Sequence, residues 1–447
     1  MSELVRYLKT ARGASALAAA VEGALRDGRL RPGDPLPPVR ALAAGLALSP
    51  ATVAAAYREL GRRGVVAAAG RRGTRIAPRP PVAAPASGPR RTGDAVPAGL
   101  LDLASGSPDA ALLPELGPFL ATLGGRPRLY GAPTVLPDLA ERAATWLDEE
   151  GIPAAALTVV GGAMDGVERA LLAHCRPGDR VAVEDPGYPG VLDLLGALGL
   201  VPEPLELDDE GPLPASLAAA LERRPAACVL TPRAQNPTGA ALTPARAREL
   251  RRLLARYPDC LAIEDDHAGP ICGRPLHAVA PAAARWVHVR SLSKSLGPDL
   301  RVALLAGDAA TVARVEGRRD LGTGWVSLLL QELAARLLAD RGVARRLERA
   351  ASEYAARRDA LVGALAHHGV AARGTSGLNV WVPAVEEAGP IAELAARGWA
   401  VRAGERYRLR SPPGLRVTVS RLPASRAPRF AGDLAAALRP VRGPRVP

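Results

Sequence analysis

The stretch with the most chemical content runs Val289-Arg290-Ser291-Leu292-Ser293-Lys294-Ser295-Leu296-Gly297-Pro298, then on to Arg301 and the apolar Val302-Ala303-Leu304-Leu305-Ala306. Of the 58 basic residues in the 447-residue chain only Lys9 and Lys294 are lysine, so arginine has replaced lysine nearly everywhere. A lysine kept among hydroxyls marks chemistry that a guanidinium cannot do. Arginine stays protonated, whereas an amine loses its proton when desolvated and can attack a carbonyl to form a Schiff base. Taken alone Lys294 reads equally well as a surface lysine; its neighbours decide the matter.

Other groups with chemical potential stand where short apolar runs end. The run 157–160 leads into Gly161-Gly162-Ala163-Met164, a turn opening a helix, where free N–H groups and the helix dipole bind phosphate. The run 181–184 ends in Asp185-Pro186-Gly187-Tyr188-Pro189-Gly190, which projects an aromatic ring suited to stacking. Asn236-Pro237-Thr238-Gly239 follows the run 227–231 and places an amide. Glu264-Asp265-Asp266-His267 ends the run 261–264 and offers a carboxylate for a protonated ring nitrogen. Singly these are a turn glycine, a packed tyrosine, a capping asparagine and surface acids. In order, they supply what pyridoxal phosphate needs: donors and an arginine for phosphate, an anion for the pyridine nitrogen, and a lysine for the aldehyde.

The elements that must hold these groups are alternating strands and helices. Strands are predicted over 157–160, 181–184, 227–231, 261–264, 286–289 and 302–306, with helical spacing between them, as in Met164, Val167, Ala170 and Leu171. The alternation predicts an α/β fold: a mostly parallel sheet with helices on both faces, its ligands at the carboxyl ends of the strands.

The N-terminal fifth has another texture. Residues 1–97 hold 16 Arg or Lys against 6 Asp or Glu, about +10 of the formal +13, so the basic excess sits on one module and points to nucleic acid or an anionic surface. Leu17, Ala20, Val21, Ala24 and Leu25 mark one helix, Val39, Leu42, Ala43 and Leu46 a second. Ser49 caps a third, with Pro50 at its first position and Val53, Ala56, Tyr57 and Leu60 on its inner side. Val65-Val66-Ala67-Ala68, the tip Gly70-Arg71-Arg72-Gly73 and Thr74-Arg75-Ile76 read as a hairpin. This is a winged helix-turn-helix, with its third helix in the major groove. Residues 14–77 resemble the GntR-type module, which implies DNA contacts from Arg40, Ser49, Thr52, Arg71 and Arg72. Pro50 stands where that family usually has an arginine. The expected division is 1–77 for the DNA-binding domain, 78–99 for a Pro-, Ala- and Gly-rich linker, and 100–447 for the body.

Composition excludes several classes. No charge-free apolar run of about 18 residues occurs and the start lacks a signal-peptide pattern, so a cytoplasmic protein is expected. Cys175, Cys228, Cys260 and Cys272 form no CxxC pair, and His174, His277, His288, His367 and His368 have no ligand spacing; no metal site is expected.

From about residue 100 the chain resembles the fold type I aminotransferases, and their pairing with a GntR-type module is similar to the MocR-type transcription regulators. The resemblance implies that Lys294 forms the Schiff base with pyridoxal 5′-phosphate, Asp265 pairs with the pyridinium nitrogen, Asn236 bonds the phenolic oxygen and Tyr188 stacks on the ring. Gly162, Ala163, Ser291, Ser293 and Arg301 would cradle the phosphate. Tyr130 would reach a partner subunit's cofactor, implying a homodimer, and Arg416 would hold a ligand carboxylate. His267 occupies the place of a tyrosine that touches the phenolic oxygen. Gly190 replaces a second carboxylate-binding arginine of a 4-aminobutyrate-responsive member, which disfavours that ligand. The function implied is a DNA-binding regulator sensing pyridoxal phosphate and an amino compound. Its alternatives are a working aminotransferase with an accessory domain, and a DNA-binding protein with a purely structural cofactor.

Overall fold

The computed structural model describes residues 2–9, 11, 13–68, 73–77, 96–124 and 128–439; Arg71, Arg72 and most of the expected linker lie outside them. The chain divides into two compact units, one of residues 1–94 with 175–181 and 189–202, the other of 95–174, 182–188 and 203–447.

In the N-terminal domain α1 (Ser2–Leu8) and α2 (Ala14–Arg26) precede α3 (Val39–Leu46) and α4 (Pro50–Arg62). Leu17, Val21 and Leu25 of α2 share one core with Leu42 and Leu46 of α3 and Val53, Ala56 and Leu60 of α4. Ala47 takes the left-handed conformation (φ 52°) in the turn that sets α3 and α4 118° apart. Ser49 caps α4, its Oγ accepting the Thr52 N–H at 3.0 Å, with Pro50 pre-set at the first helical position. Tyr57 is packing, as the spacing predicted: its hydroxyl donates to the Pro37 carbonyl at 2.7 Å, and burial pushes the phenol well up. β1 (Val66–Ala68) and β2 (Thr74–Ile76) pair antiparallel to form the wing. Among the described residues no single helix is long and apolar enough to cross a membrane.

In the body a two-residue strand, β3 (Leu101–Asp102), comes first. Then come β4 (Leu157–Val160), β5 (Arg180–Asp185), β6 (Val201–Asp208), β7 (Gly211–Pro212), β8 (Ala227–Leu230), β9 (Leu261–Asp266), β10 (Arg285–Ser291) and β11 (Ala303–Gly307). They form one sheet in the order β4-β11-β10-β9-β8-β5-β6-β7. β8, β9 and β10 run parallel, whereas β11 is antiparallel to both β10 and β4. All six residues of β9 are buried, which requires cover on both faces and explains its unbroken apolar start. The helix Ala163–His174 packs so closely on the sheet that a Cβ on Gly166 would lie 3.0 Å from a Val289 methyl.

The smaller sheet orders β12 (Asn379–Pro383), β15 (Gly414–Thr418) and β14 (Arg402–Ala403), while β13 (Trp399–Ala400) pairs parallel with β3. Val380, Val382, Leu415 and Val417 of this sheet pack with Phe430 and Leu434 of the helix Ala427–Ala437.

Candidate cofactor site and DNA interface

Lys294 opens from the four-residue helix Ser293–Leu296 directly after β10, at the carboxyl end of a parallel strand. It is half-buried, and its Nζ donates to the Gly106 carbonyl. Burial, with the positive charge of Arg416, brings its ammonium down to about 8, so a reactive fraction of neutral amine exists near physiological pH.

Asp265 comes from the end of β9, one strand over, in register with Val289 of β10. Its carboxyl is buried and Oδ1 has no hydrogen-bond partner. Burial, joined by the charges of Asp266 and Glu184, pushes it up to about 7. A buried acceptor left without a partner costs about 1–3 kcal/mol, so the fold holds this atom ready for a donor from outside the chain. Asp266, next in sequence, has the opposite environment. Burial opposes its charge, but Arg233 grips it bidentately at 2.9 and 3.0 Å and Arg290 adds a second guanidinium, holding its carboxyl far below the usual range. Glu150 bridges the two arginines, and the Arg290 guanidinium lies 4.6 Å over the Trp146 ring. Glu264, the third acid, is bonded to His288 Nδ1 at 2.9 Å and to the Val279 and Ala280 amides. The acids that end β9 therefore divide the work: two are committed to the fold and Asp265 alone is left for a ligand.

The anion cradle is assembled from three places. Gly162 (φ 105°) precedes the helix Ala163–His174, and a Cβ there would fall 2.6 Å from Arg301 Nη2, so only glycine lets the arginine approach. Arg301, itself left-handed (φ 49°), donates to the Gly161 carbonyl at 2.9 Å. Ser291 Oγ accepts the Ser293 N–H at 3.2 Å, and Ser293 Oγ is buried with no partner. Helix N-terminus, hydroxyl and guanidinium together suit a phosphate.

Arg416 lies on β15, buried, opposite Arg402 of β14 in the register. It donates to the Ala104 carbonyl, reaches Asn236 Oδ1 at 3.5 Å and stacks 5.2 Å over the Tyr407 ring, and its Nε has no partner. Tyr188, half-buried at the end of its turn, is close enough to Arg416 to act on its charge. His267 Nε2 lies 2.8 Å from the Ala234 carbonyl, which can only accept, so that nitrogen carries the ring proton. Burial and the charge of Lys294 hold its pKa down to about 4. Tyr130 stands apart from this group, 93% exposed and edge-on to Trp325 at 5.8 Å.

In the N-terminal domain Arg40 and Ser49 are exposed and Thr52 half-exposed, Ser49 and Thr52 lying at the start of α4 with their hydroxyls 2.8 Å apart. Arg71 and Arg72 lie outside the described residues.

Residues 98–434 match the model of the aminotransferase class I and II family, and residues 14–76 that of the bacterial regulatory proteins of the gntR family. The chain is 41% identical to the vitamin B6 salvage pathway transcriptional repressor PtsJ of Salmonella typhimurium, over 92% of this chain and 95% of that one. The chain belongs to the MocR-type transcription regulators. It is also 31% identical to the HTH-type transcriptional regulator TauR of Rhodobacter capsulatus, over 80% of each chain. The body shares its fold with a Pyrococcus horikoshii kynurenine aminotransferase, with a TM-score of 0.70 and 21% identity over 76% of this chain and 91% of that one.

This MocR-type regulator is a DNA-binding protein whose cofactor, that of its family, is pyridoxal phosphate. The residues present fit that group: the partnerless Asp265 Oδ1 and Ser293 Oγ stand at the strand ends that carry Lys294, with the Gly162–Arg301 cradle alongside. Glu184 was not legible in the sequence; burial raises its carboxyl to about 7 against hydrogen bonds from the Thr231 amide and Gln235. Nor was the Arg233–Asp266–Arg290 cluster. The doubled acid Asp265-Asp266 was the available signal, since two adjacent buried carboxylates need partners of opposite sign.

Proposed function

We propose that this regulator reads the supply of pyridoxal phosphate and controls genes of vitamin B6 metabolism from the cytoplasm, as a homodimer. The observation that carries the reading is the pair of buried, partnerless acceptor and hydroxyl groups, Asp265 Oδ1 and Ser293 Oγ, set beside the one lysine of the body. The name of the Salmonella relative supports the choice of genes.

When bound, the cofactor supplies an aldehyde and a ring able to withdraw electrons. The chain does the rest: Lys294 binds the aldehyde, Asp265 anchors the ring nitrogen, and Asn236 donates its amide to the phenolic oxygen. Tyr188 covers the ring, while Gly162, Ala163, Ser291, Ser293 and Arg301 hold the phosphate. His267 has spent its ring proton on Ala234, so it keeps a neutral face towards the ring and gives the phenolic oxygen nothing. Arg416 is placed for the carboxylate of an amino compound.

A second copy completes the site through Tyr130. Leu120, Leu129, Leu321 and Leu329 are exposed as well, apolar side chains of the kind that a partner covers. On DNA, Arg40 and the Ser49 end of α4 take phosphates, and the wing arginines Arg71 and Arg72 extend the contact.

The test is a titration of purified protein with pyridoxal phosphate, followed by absorbance and by binding to duplexes from upstream of vitamin B6 genes. Saturable visible absorbance with altered DNA affinity is expected. Saturation with DNA affinity unmoved would overturn the sensing role in favour of a structural cofactor.

A further inference from the structure

We infer that residues 104–106 form a strap that carries cofactor loading to the chain leading into the DNA-binding domain; this rests on the sensing role proposed above. Two backbone carbonyls of this short segment are held by the two functional cations of the site. Ala104 O accepts from Arg416 Nη2, with Arg402 Nε at 3.4 Å, and Gly106 O accepts from Lys294 Nζ. Gly106 has φ 72°, and a Cβ there would lie 3.1 Å from Arg416 Nη1, so the residue type is set by this close approach.

The strap is wired directly to the entry of the body. Residues 101–103 are bonded to the smaller sheets: Leu101 N–H to Gly398 O and Leu103 N–H to Ala400 O, each 2.9 Å, and Thr418 N–H to Leu103 O at 2.8 Å. Asp102 belongs to both parts. It pairs with Ala400 in β3, and its Oδ1 caps the strap by accepting the Ala104 and Ser105 amides, both at 2.9 Å. Against burial, the Ser105 side chain first and then those amide bonds hold the carboxyl below the usual range, with the charge of Arg421 adding to them. A strap that turns must turn this carboxylate, and with it the second residue of a two-residue strand. The strand lies a few residues after the end of the linker.

Cofactor loading acts on one of the two holds. Lys294 Nζ condenses with the aldehyde: a C=N bond forms, the carbonyl oxygen leaves as water, and the two hydrogens of that water come from the amine. Gly106 O then loses its donor while Ala104 O keeps Arg416. The strap thus has two arrangements, selected by whether Lys294 is free or linked, which is the bistable element that coupling between two sites requires. An amino compound with a carboxylate would act on the other hold, by drawing Arg416 from Ala104.

The experiment uses the full chain and a duplex selected by the wild-type protein from a random-sequence pool. DNA affinity is measured with and without pyridoxal phosphate for wild type and Asp102→Ala, with hydrogen exchange of 101–107 followed in parallel. The wild type should change its DNA Kd about fivefold or more on loading. Its Ala104 and Ser105 amides should exchange roughly tenfold faster when loaded. Asp102→Ala should still bind the cofactor, as visible absorbance, with the Kd ratio reduced to about one. An Asp102→Ala ratio equal to that of wild type overturns the strap, and so does wild-type exchange that ignores the cofactor, a result that stands even where the variant does not fold. A wild-type ratio of one removes the sensing role itself, and the inference with it.

Discussion

Asp265→Asn should move stability and cofactor binding in opposite directions. From an ordinary 3.8 to about 7 is a factor of roughly 10³ in proton affinity, about 4 kcal/mol. The carboxyl is raised, so its stabilising contribution is fully present below its ordinary pKa. It is lost as pH rises through about 7. At pH 8 the wild type therefore carries the whole cost of an ionised buried carboxylate with Oδ1 unpaired. Asparagine removes the charge but leaves a neutral amide buried, which costs about 1–3 kcal/mol. The net gain is about 2 kcal/mol. With unfolding entropy near 2.1 cal/mol/K per residue, a body of this size should melt about 3 °C higher. The gap should close between pH 7 and pH 4. Cofactor affinity should fall roughly tenfold to a hundredfold, because the charge-assisted bond to the ring nitrogen is gone. Thermal melts from pH 5 to 8.5, with and without pyridoxal phosphate, give both readouts. A variant whose cofactor-free melting tracks wild type across that range, or that binds the cofactor equally well, would refute the reasoning.

Asp266→Asn, by contrast, leaves Arg233 and Arg290 buried without their main counter-charge and should cost about 3–5 kcal/mol, read as a lowered Tm at neutral pH with or without cofactor. Because the Asp266 carboxyl is depressed, that contribution is present above its ordinary pKa, and the deficit of the variant should shrink as acid protonates the wild type. Lys294→Ala should abolish both the visible absorbance and any borohydride-fixed link to the cofactor; a surviving fixed link would show that another amine does the work. Arg40→Ala should weaken binding to all duplexes alike and lower the salt slope by about one, whereas an unchanged slope would leave Arg40 as solvated surface.

Six of the eight strands of the large sheet were legible because each is a short apolar run closed by turn residues. β6 was not. Its sequence Val201-Pro202-Glu203-Pro204-Leu205-Glu206-Leu207-Asp208 carries two prolines and three acids, which argue against a strand until its place near the sheet edge is known. The division of labour among Glu264, Asp265 and Asp266 was also hidden. Nothing in three consecutive acids says which one meets Arg233 and Arg290, because those partners arrive from β10 and from the turn after β8. Residues 104–106 were hidden for a different reason: they act through carbonyl oxygens, which every residue type possesses, and only the glycine at 106 marks the place.

On the proposed reading the site keeps the groups that would bind and orient the cofactor, while the state of His267 argues against rapid turnover. A transaminase must move protons repeatedly near Lys294, and a side chain able to donate to the phenolic oxygen helps to set the electronics of that cycle. Here the corresponding residue is His267, bonded to a backbone carbonyl through its protonated nitrogen and too acidic, at about 4, to gain a second proton near neutrality. Lys294 and Arg416, meanwhile, are bonded to the backbone just beyond the segment that enters the body. Binding there must exchange one set of contacts for another, and by linkage whatever those contacts hold in place feels the ligand.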